Sequence, residues 1–166
     1  MTNRRTLLAG AAAALLGGTM LLGRRGSAAA AEEFEITLTE AEWRKRLSPK
    51  QFAVLREEDT EPPFSSELLH EKRKGKFTCA GCDLPLFSSE TKFESGTGWP
   101  SFWAPLENAV GTRSDYSLIF PRTEVHCRRC GGHLGHVFDD GPKPTGKRYC
   151  MNGLALGFVP DEKTAS

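Results

Sequence analysis

The chain has 166 residues, of which 39% are apolar and 26% charged. That is enough for one ordinary domain and hardly two, and it fits neither a disordered tail nor a membrane-spanning bundle. A formal charge of +1 is too balanced for a dedicated nucleic-acid-binding domain, and five cysteines, an odd number, exclude complete disulfide pairing within one chain.

Residues 1–31 read as an export signal and not as fold. Arg4 and Arg5 precede a weakly hydrophobic run of 16 residues from Leu7 to Leu22, followed by Arg24, Arg25 and the small residues Ser27 to Ala31. The run is shorter than the roughly 20 residues of a spanning helix, and an uncleaved anchor is the competing reading. Asn3-Arg4-Arg5-Thr6-Leu7-Leu8 resembles the twin-arginine class of bacterial signals. The expectation is cleavage near Ala29 to Ala31, export to the bacterial periplasm or cell exterior, no stable membrane association afterwards, and a mature domain of residues 32–166. The signal holds four Arg and no acid, so its removal takes the formal charge from +1 to −3. An acidic domain is poorly matched to phosphate backbones, and no nucleic-acid partner is expected.

Phe34, Ile36 and Leu38 alternate with polar residues, which predicts a short strand. Thr39-Glu40-Ala41-Glu42 and Ser48-Pro49-Lys50-Gln51 have capping-box spacing, so two short helices should follow, burying Trp43, Leu47, Phe52, Val54 and Leu55. The second helix should end near Glu58, before Pro62 and Pro63, and a third short one is expected over Ser66 to Glu71. From Phe77 onward short apolar runs alternate with turn signals such as Asp140-Gly141-Pro142. Strands are predicted at Phe77-Thr78, Leu86-Phe87, Tyr116 to Phe120, Val125-His126, His136 to Phe138, Arg148 to Met151 and Leu156 to Val159. The fold class is mainly β and antiparallel, with helices at the N-terminal end.

Cys79-Ala80-Gly81-Cys82 and Cys127-Arg128-Arg129-Cys130 are two Cys-x-x-Cys units separated by 44 residues. Two intervening residues let both sulfurs of a unit face one centre, and Gly81 and Gly131 lie where the turn would favour glycine. Paired units point to a structural zinc site made of four cysteines, closed to substrate because all four positions are filled. An oxidising compartment would instead favour disulfides, and a lone unit would suit a redox pair. Export of an already folded, metal-loaded protein favours zinc.

Cys150 is then left over. On a strand it shares a face with Arg148 and Asn152, a cation that favours the thiolate and an amide that bonds oxygen. His133 and His136 supply two imidazoles directly after the second knuckle. A buried core cysteine is the blander alternative. Trp99, in a glycine-flanked loop before Pro100, offers an indole wall for a small apolar group.

Taken together, Cys79-x-x-Cys82, Gly98-Trp99-Pro100-Ser101-Phe102, Arg122-Thr123-Glu124-Val125, Cys127-x-x-Cys130, His133-Leu134-Gly135-His136-Val137-Phe138, Asp140-Gly141-Pro142 and Arg148-Tyr149-Cys150-x-Asn152 resemble the B-type peptide methionine sulfoxide reductases. The resemblance covers about Glu35 to Pro160. It implies two antiparallel β sheets with short N-terminal helices, one structural Zn2+ on Cys79, Cys82, Cys127 and Cys130, and reduction of methionine-R-sulfoxide as a repair of oxidised proteins or peptides. Carried over residue by residue, Cys150 is the nucleophile that becomes a sulfenic acid. His133, His136 and Asn152 complete the catalytic set. Trp99 and Arg148 bind substrate, and Asp140 orients a histidine or the arginine. Many relatives carry a second redox cysteine where this chain has Thr97, so an external thiol, such as a thioredoxin-like protein, is the expected reductant. A zinc-ribbon-like binding module without catalysis would explain the four paired cysteines but not Cys150, Trp99 or the two histidines.

Overall fold

The computed structural model describes residues 33–162. The signal assigned to residues 1–31 lies outside the described residues. No helix among the described residues is long and apolar enough to cross a membrane.

Both capping boxes form. Helix α1 (Glu40–Arg46) starts at Thr39, whose hydroxyl accepts from the Glu42 N–H while Glu42 reaches back to the Thr39 N–H. Helix α2 (Pro49–Glu57) repeats this with Ser48 and Gln51 and ends on Glu58 in the left-handed region. Each box satisfies amide donors that a short helix cannot bond internally. The apolar stripe is buried as expected: Trp43, Leu47, Phe52, Val54 and Leu55 all lie in the core. The third element is a single 3-10 turn, Glu67–His70.

Nine strands follow among the described residues: β1 (Gly75–Cys79), β2 (Pro85–Ser88), β3 (Lys92–Phe93), β4 (Ser101–Phe102), β5 (Val110–Asp115), β6 (Arg122–Cys127), β7 (His133–Phe138), β8 (Arg148–Met151) and β9 (Leu156–Pro160). They make two antiparallel sheets, one in the order β2-β1-β9 and one in the order β3-β4-β8-β7-β6-β5. Aromatic residues join the sheets. Phe87 of β2 stacks on Phe102 of β4 at 4.4 Å between centroids, and Phe77 of β1 meets Phe102 edge-on at 4.9 Å. Such pairs add about 0.5–1.5 kcal/mol each beyond area burial.

Two predicted strands do not form. Phe34, Ile36 and Leu38 stay outside any ladder: Ile36 makes one backbone bond, to the Arg129 carbonyl, while Phe34 packs edge-on against His126. Their alternation marks one face resting on the core, which an extended segment achieves without a partner strand. Tyr116 to Phe120 is the connection between β5 and β6, and its apolar residues are exposed. A mainly apolar run at the tip of a hairpin has no core to enter.

Candidate active site and metal centre

The first knuckle lies at the end of β1 and the second at the end of β6, so the cysteines bring the two sheets together at one point. Cys79 Sγ lies 3.7 Å from Cys130 Sγ, Cys82 Sγ lies 3.5 Å from Cys127 Sγ, and all four sulfurs fall within 4.8 Å of one another. A tetrahedral ion with roughly 2.3 Å metal–sulfur bonds would have S···S edges of about 3.8 Å. The donor set and its spacing therefore fit a single soft metal ion. All four are buried. Hydrogen bonding within the cluster pushes the Cys79 and Cys127 thiols up and the Cys82 and Cys130 thiols down. Gly131 adopts the left-handed φ of +67° that the second turn requires. At the first turn that conformation falls to Asp83, at φ +60°, and not to Gly81. Asp is among the non-glycine residues that tolerate it best.

The fifth thiol stands elsewhere. Cys150 is on β8, between β4 and β7, paired in register with Ser101 on one side and His136 on the other. Directly opposite residues share a face, so Cys150, His136 and, one strand further, Glu124 form a row across the sheet. Cys150 is half-buried and opens into a cavity of about 120 Å³ lined by Thr60, Trp99, Arg122, Gly135, His136, Phe138, Cys150 and Asn152.

His133 and His136 are three residues apart, a spacing that places side chains on opposite faces of a regular strand. The register shifts between β6 and β7: Val125 opposes Gly135 and His126 opposes His133, so β7 carries an extra residue, a β-bulge. The bulge brings the two imidazoles together, with centroids 5.4 Å apart. Gly135 sits within it at φ +152°, where a Cβ would lie 2.2 Å from the Cys150 carbonyl oxygen. Only glycine permits this approach of β7 to β8.

Each histidine is held by a carboxylate. His136 Nε2 lies 2.7 Å from Asp115 Oδ2, and His133 Nδ1 lies 2.8 Å from Glu124 Oε1. Hydrogen bonds from Ser117, then His136 and Arg122, hold Asp115 well below the usual carboxylate range. Burial opposes ionisation of Glu124, but His133 and Arg113 outweigh it and lower its pKa. Both acids are therefore ionised acceptors, which assigns the bonded hydrogens to His136 Nε2 and His133 Nδ1. Burial lowers the pKa of His136, against the opposing pull of Asp115, so its ring is neutral at pH 7 with Nδ1 bearing a lone pair. His133 does not line the cavity. It stands behind His136, and its Nε2 has no hydrogen-bond partner among the described residues.

Asn152 lines the cavity, but its amide oxygen accepts from the Glu61 N–H at 3.1 Å and its nitrogen donates to the Leu134 carbonyl at 3.2 Å. One amide hydrogen remains for an occupant. Arg148 forms a bidentate pair with Asp140, both contacts at 2.8 Å, and lies over the Phe138 ring at 4.4 Å. Asp140 thus orients the arginine, not a histidine. Its hydrogen bonds raise the Arg148 pKa, and the Cys150 sulfur adds to the same effect. Trp99 is half-buried and donates its indole N–H to the Glu61 carbonyl at 3.0 Å.

A string of hydroxyls approaches the sulfur. Thr97 Oγ1 lies 3.7 Å from Cys150 Sγ and 2.9 Å from Ser95 Oγ, which lies 2.7 Å from Ser101 Oγ, which donates to the Trp99 carbonyl at 3.0 Å. Each hydroxyl has one proton. Ser101 uses its proton on the carbonyl, so Ser95 donates to Ser101 and Thr97 to Ser95. Thr97 accordingly offers a lone pair to a Cys150 thiol and must turn its proton to meet a thiolate.

Sequence reasoning assigned no role to Asp115, Glu61 or Thr60. Glu61 is a buried acid whose carboxylate accepts from the Gly153 and Leu154 N–H groups at 2.5 and 3.0 Å, fastening the loop before Phe64 to the chain just past Asn152. No local pattern marks it. Glu124, Arg122 and Phe138 lay within the quoted motifs, but their tasks follow only from the sheet.

A family model for the SelR domain matches residues 47–160. The chloroplastic peptide methionine sulfoxide reductase B1 of Arabidopsis thaliana is 54% identical over 129 residues, 77% of this chain but only 64% of that protein. A peptide methionine sulfoxide reductase of Methanosarcina mazei is 53% identical over 131 residues, 78% of this chain and 94% of that protein. One from Bradyrhizobium diazoefficiens is 54% identical over 127 residues, 76% of this chain and 91% of that protein. Both knuckles and Cys150 fall within the matched region, and so do the bulged histidine strand and the Trp99 loop. The chain belongs to the SelR-domain family of peptide methionine sulfoxide reductases, and with that family to the peptide-methionine (R)-S-oxide reductases.

Proposed function

We propose that the chain reduces methionine-R-sulfoxide, free or within proteins, at the expense of external thiols, as repair after oxidative damage. The observation that carries this reading is the placement of Cys150. Of five cysteines it is the one not buried, and it opens beside a neutral imidazole into a small cavity walled by Trp99 and Phe138. The cavity suits a methylsulfinyl group, with the S-methyl against the indole.

In the first step the Cys150 sulfur attacks the sulfoxide sulfur. That attack forms an S–S bond as the oxygen is protonated. The hydroxyl then passes from the methionine sulfur to the Cys150 sulfur, breaking the S–O and S–S bonds, so that methionine departs with the S–S electron pair and Cys150 becomes a sulfenic acid. Oxide is a poor leaving group, so the oxygen must be protonated. His136 takes the thiol proton on Nδ1 and returns it to that oxygen, while Asp115 stabilises the transient imidazolium. His133, set by Glu124, supports His136 from behind. The remaining Asn152 hydrogen and the Arg148 charge steady the oxygen. Thr97 brings no second sulfur, so one external thiol condenses with the sulfenic acid, releasing water, and a second thiol frees Cys150 as the external disulfide departs. A thioredoxin-like protein is the reductant we favour.

The metal we assign to the cluster is zinc. It would be held by Cys79, Cys82, Cys127 and Cys130, leave no open position, and act by fastening the two sheets. Residues 1–31 we read as a twin-arginine-type export signal, with activity outside the cytoplasm. Incubation of the protein with separated R and S sulfoxides and dithiothreitol tests the central reading. Turnover of R alone, abolished in Cys150→Ser, is expected. Turnover in Cys150→Ser, or none with either epimer, overturns it.

A further inference from the structure

Among the described residues six large hydrophobic side chains are exposed, and four of them sit on one connection: Tyr116 at 75%, Leu118 at 58%, Ile119 at 94% and Phe120 at 80%. A fifth is Phe64, at 67%. Monomeric proteins rarely gather apolar side chains this way without a use for them. Both places are tethered to residues at or beside the Cys150 cavity. The 116–121 connection runs from Asp115, which holds His136, to Arg122, which lines the cavity. It is tied down by Ser117, whose N–H bonds Asp115 Oδ1 at 2.8 Å and whose hydroxyl receives Arg122. Phe64 donates its backbone N–H to the Gly98 carbonyl at 2.7 Å, immediately before Trp99.

The sheet order β4-β8-β7-β6-β5 puts these two places on opposite sides of Cys150. Trp99 and Phe64 lie toward β4, the 116–120 tip lies toward β5 and β6, and Cys150 is on β8 between them. Four inter-strand gaps of about 4.8 Å separate β4 from β5, roughly 19 Å, which is the reach of about six residues of extended chain. Methionine is an apolar residue whose natural neighbours in a core are apolar, and an unfolded segment presents them together with the oxidised side chain.

We propose that Phe64 and the 116–120 loop form a docking surface for an unfolded stretch of polypeptide, gripping apolar residues on both sides of the oxidised methionine. This deepens the reductase reading and rests on it. The occupant is a substrate chain and not a reductant, because the surface spans the cavity from two sides, as a continuous chain through it requires.

The test is the triple variant Leu118→Ser/Ile119→Ser/Phe120→Ser, with Phe64→Ser made separately, assayed with dithiothreitol so that no protein reductant takes part. Three substrates are compared: N-acetyl-methionine-R-sulfoxide, an oxidised heptapeptide with Leu and Phe around the sulfoxide, and the same peptide with Gly and Ser. The wild type is expected to favour the apolar peptide about tenfold over the Gly/Ser peptide. The triple variant should lose that preference through KM with kcat unchanged, and act normally on the amino acid. An equal fall on all three substrates overturns the proposal, as does an undiminished preference. So does a wild-type dimer in sedimentation that the variant abolishes, which would give the patch to a second copy of the chain, or wild-type binding to neutral lipid vesicles that the variant abolishes. Failure of the reductase reading is distinguishable, because it would appear as wild-type inactivity on the N-acetyl amino acid.

Discussion

The clustered cysteines and Cys150 are the same side chain in two surroundings. Around the knuckles each thiol faces three others, all buried, and every sulfur is taken up by the group. Around Cys150 the neighbours are a hydroxyl, an imidazole and a guanidinium, and one side is open. The first arrangement is stable only as a unit and admits nothing. The second leaves one sulfur unshared with means to move a proton nearby. The two lie at different ends of β6: Arg122 borders the cavity and Cys127 the cluster, five steps apart, or about 17 Å. Chemistry and stability should therefore separate under mutation.

Cys150→Ser should give the largest effect: loss of reductase activity by more than about a thousandfold, with unfolding free energy changed by less than about 0.5 kcal/mol. Steady-state assays and urea titration check both halves. Cys82→Ser should do the reverse. It removes one of four thiolates, so metal content should fall and the melting temperature should drop by about 10 °C or more, with the residual folded fraction still active. A Cys82→Ser protein that melts normally would break the comparison.

Within the cavity, His136→Gln should cost about 10²-fold to 10³-fold in kcat and His133→Gln about tenfold, because only His136 reaches the substrate side. Single-turnover rates of sulfenic acid formation decide the order. Thr97→Cys places a second sulfur near the 3.7 Å contact now made by the Thr97 hydroxyl. One turnover should then leave an internal disulfide, seen by mass spectrometry as the loss of two hydrogens, whereas the wild type should keep a trappable sulfenic acid.

The smallest effect concerns pH. His136 binds its proton less readily folded than unfolded, so it contributes stability above about pH 6.5 that is lost as pH falls through the lowered folded pKa. Asp115, Glu124 and Asp140 are also lowered, and their contributions are lost further down, as pH falls below about 4. Urea midpoints should decline from pH 7 to 5 in the wild type and stay flat over that range in His136→Asn.

The sequence alone determined much of this protein, wherever the deciding interaction is local. Capping boxes close within three residues, so both helices and their buried stripes were readable. Two sulfurs separated by two residues can face one centre, so the grouping of the four cysteines was readable. Cys150 stood out by subtraction, and the quoted motifs carried the family. What tertiary structure decided depends on strands distant in the chain. The three-residue histidine spacing works only because a bulge, allowed by Gly135, changes which face β7 presents. Asp115 becomes a partner of His136 only when β5 and β7 flank β6. Glu61 has a role only where Gly153 and Leu154 come to it across the fold. The segment from Tyr116 to Phe120 shows the same limit from the other side. Its composition reads as a buried strand, but position at a hairpin tip leaves it exposed, because burial depends on what a segment faces as well as on its residues.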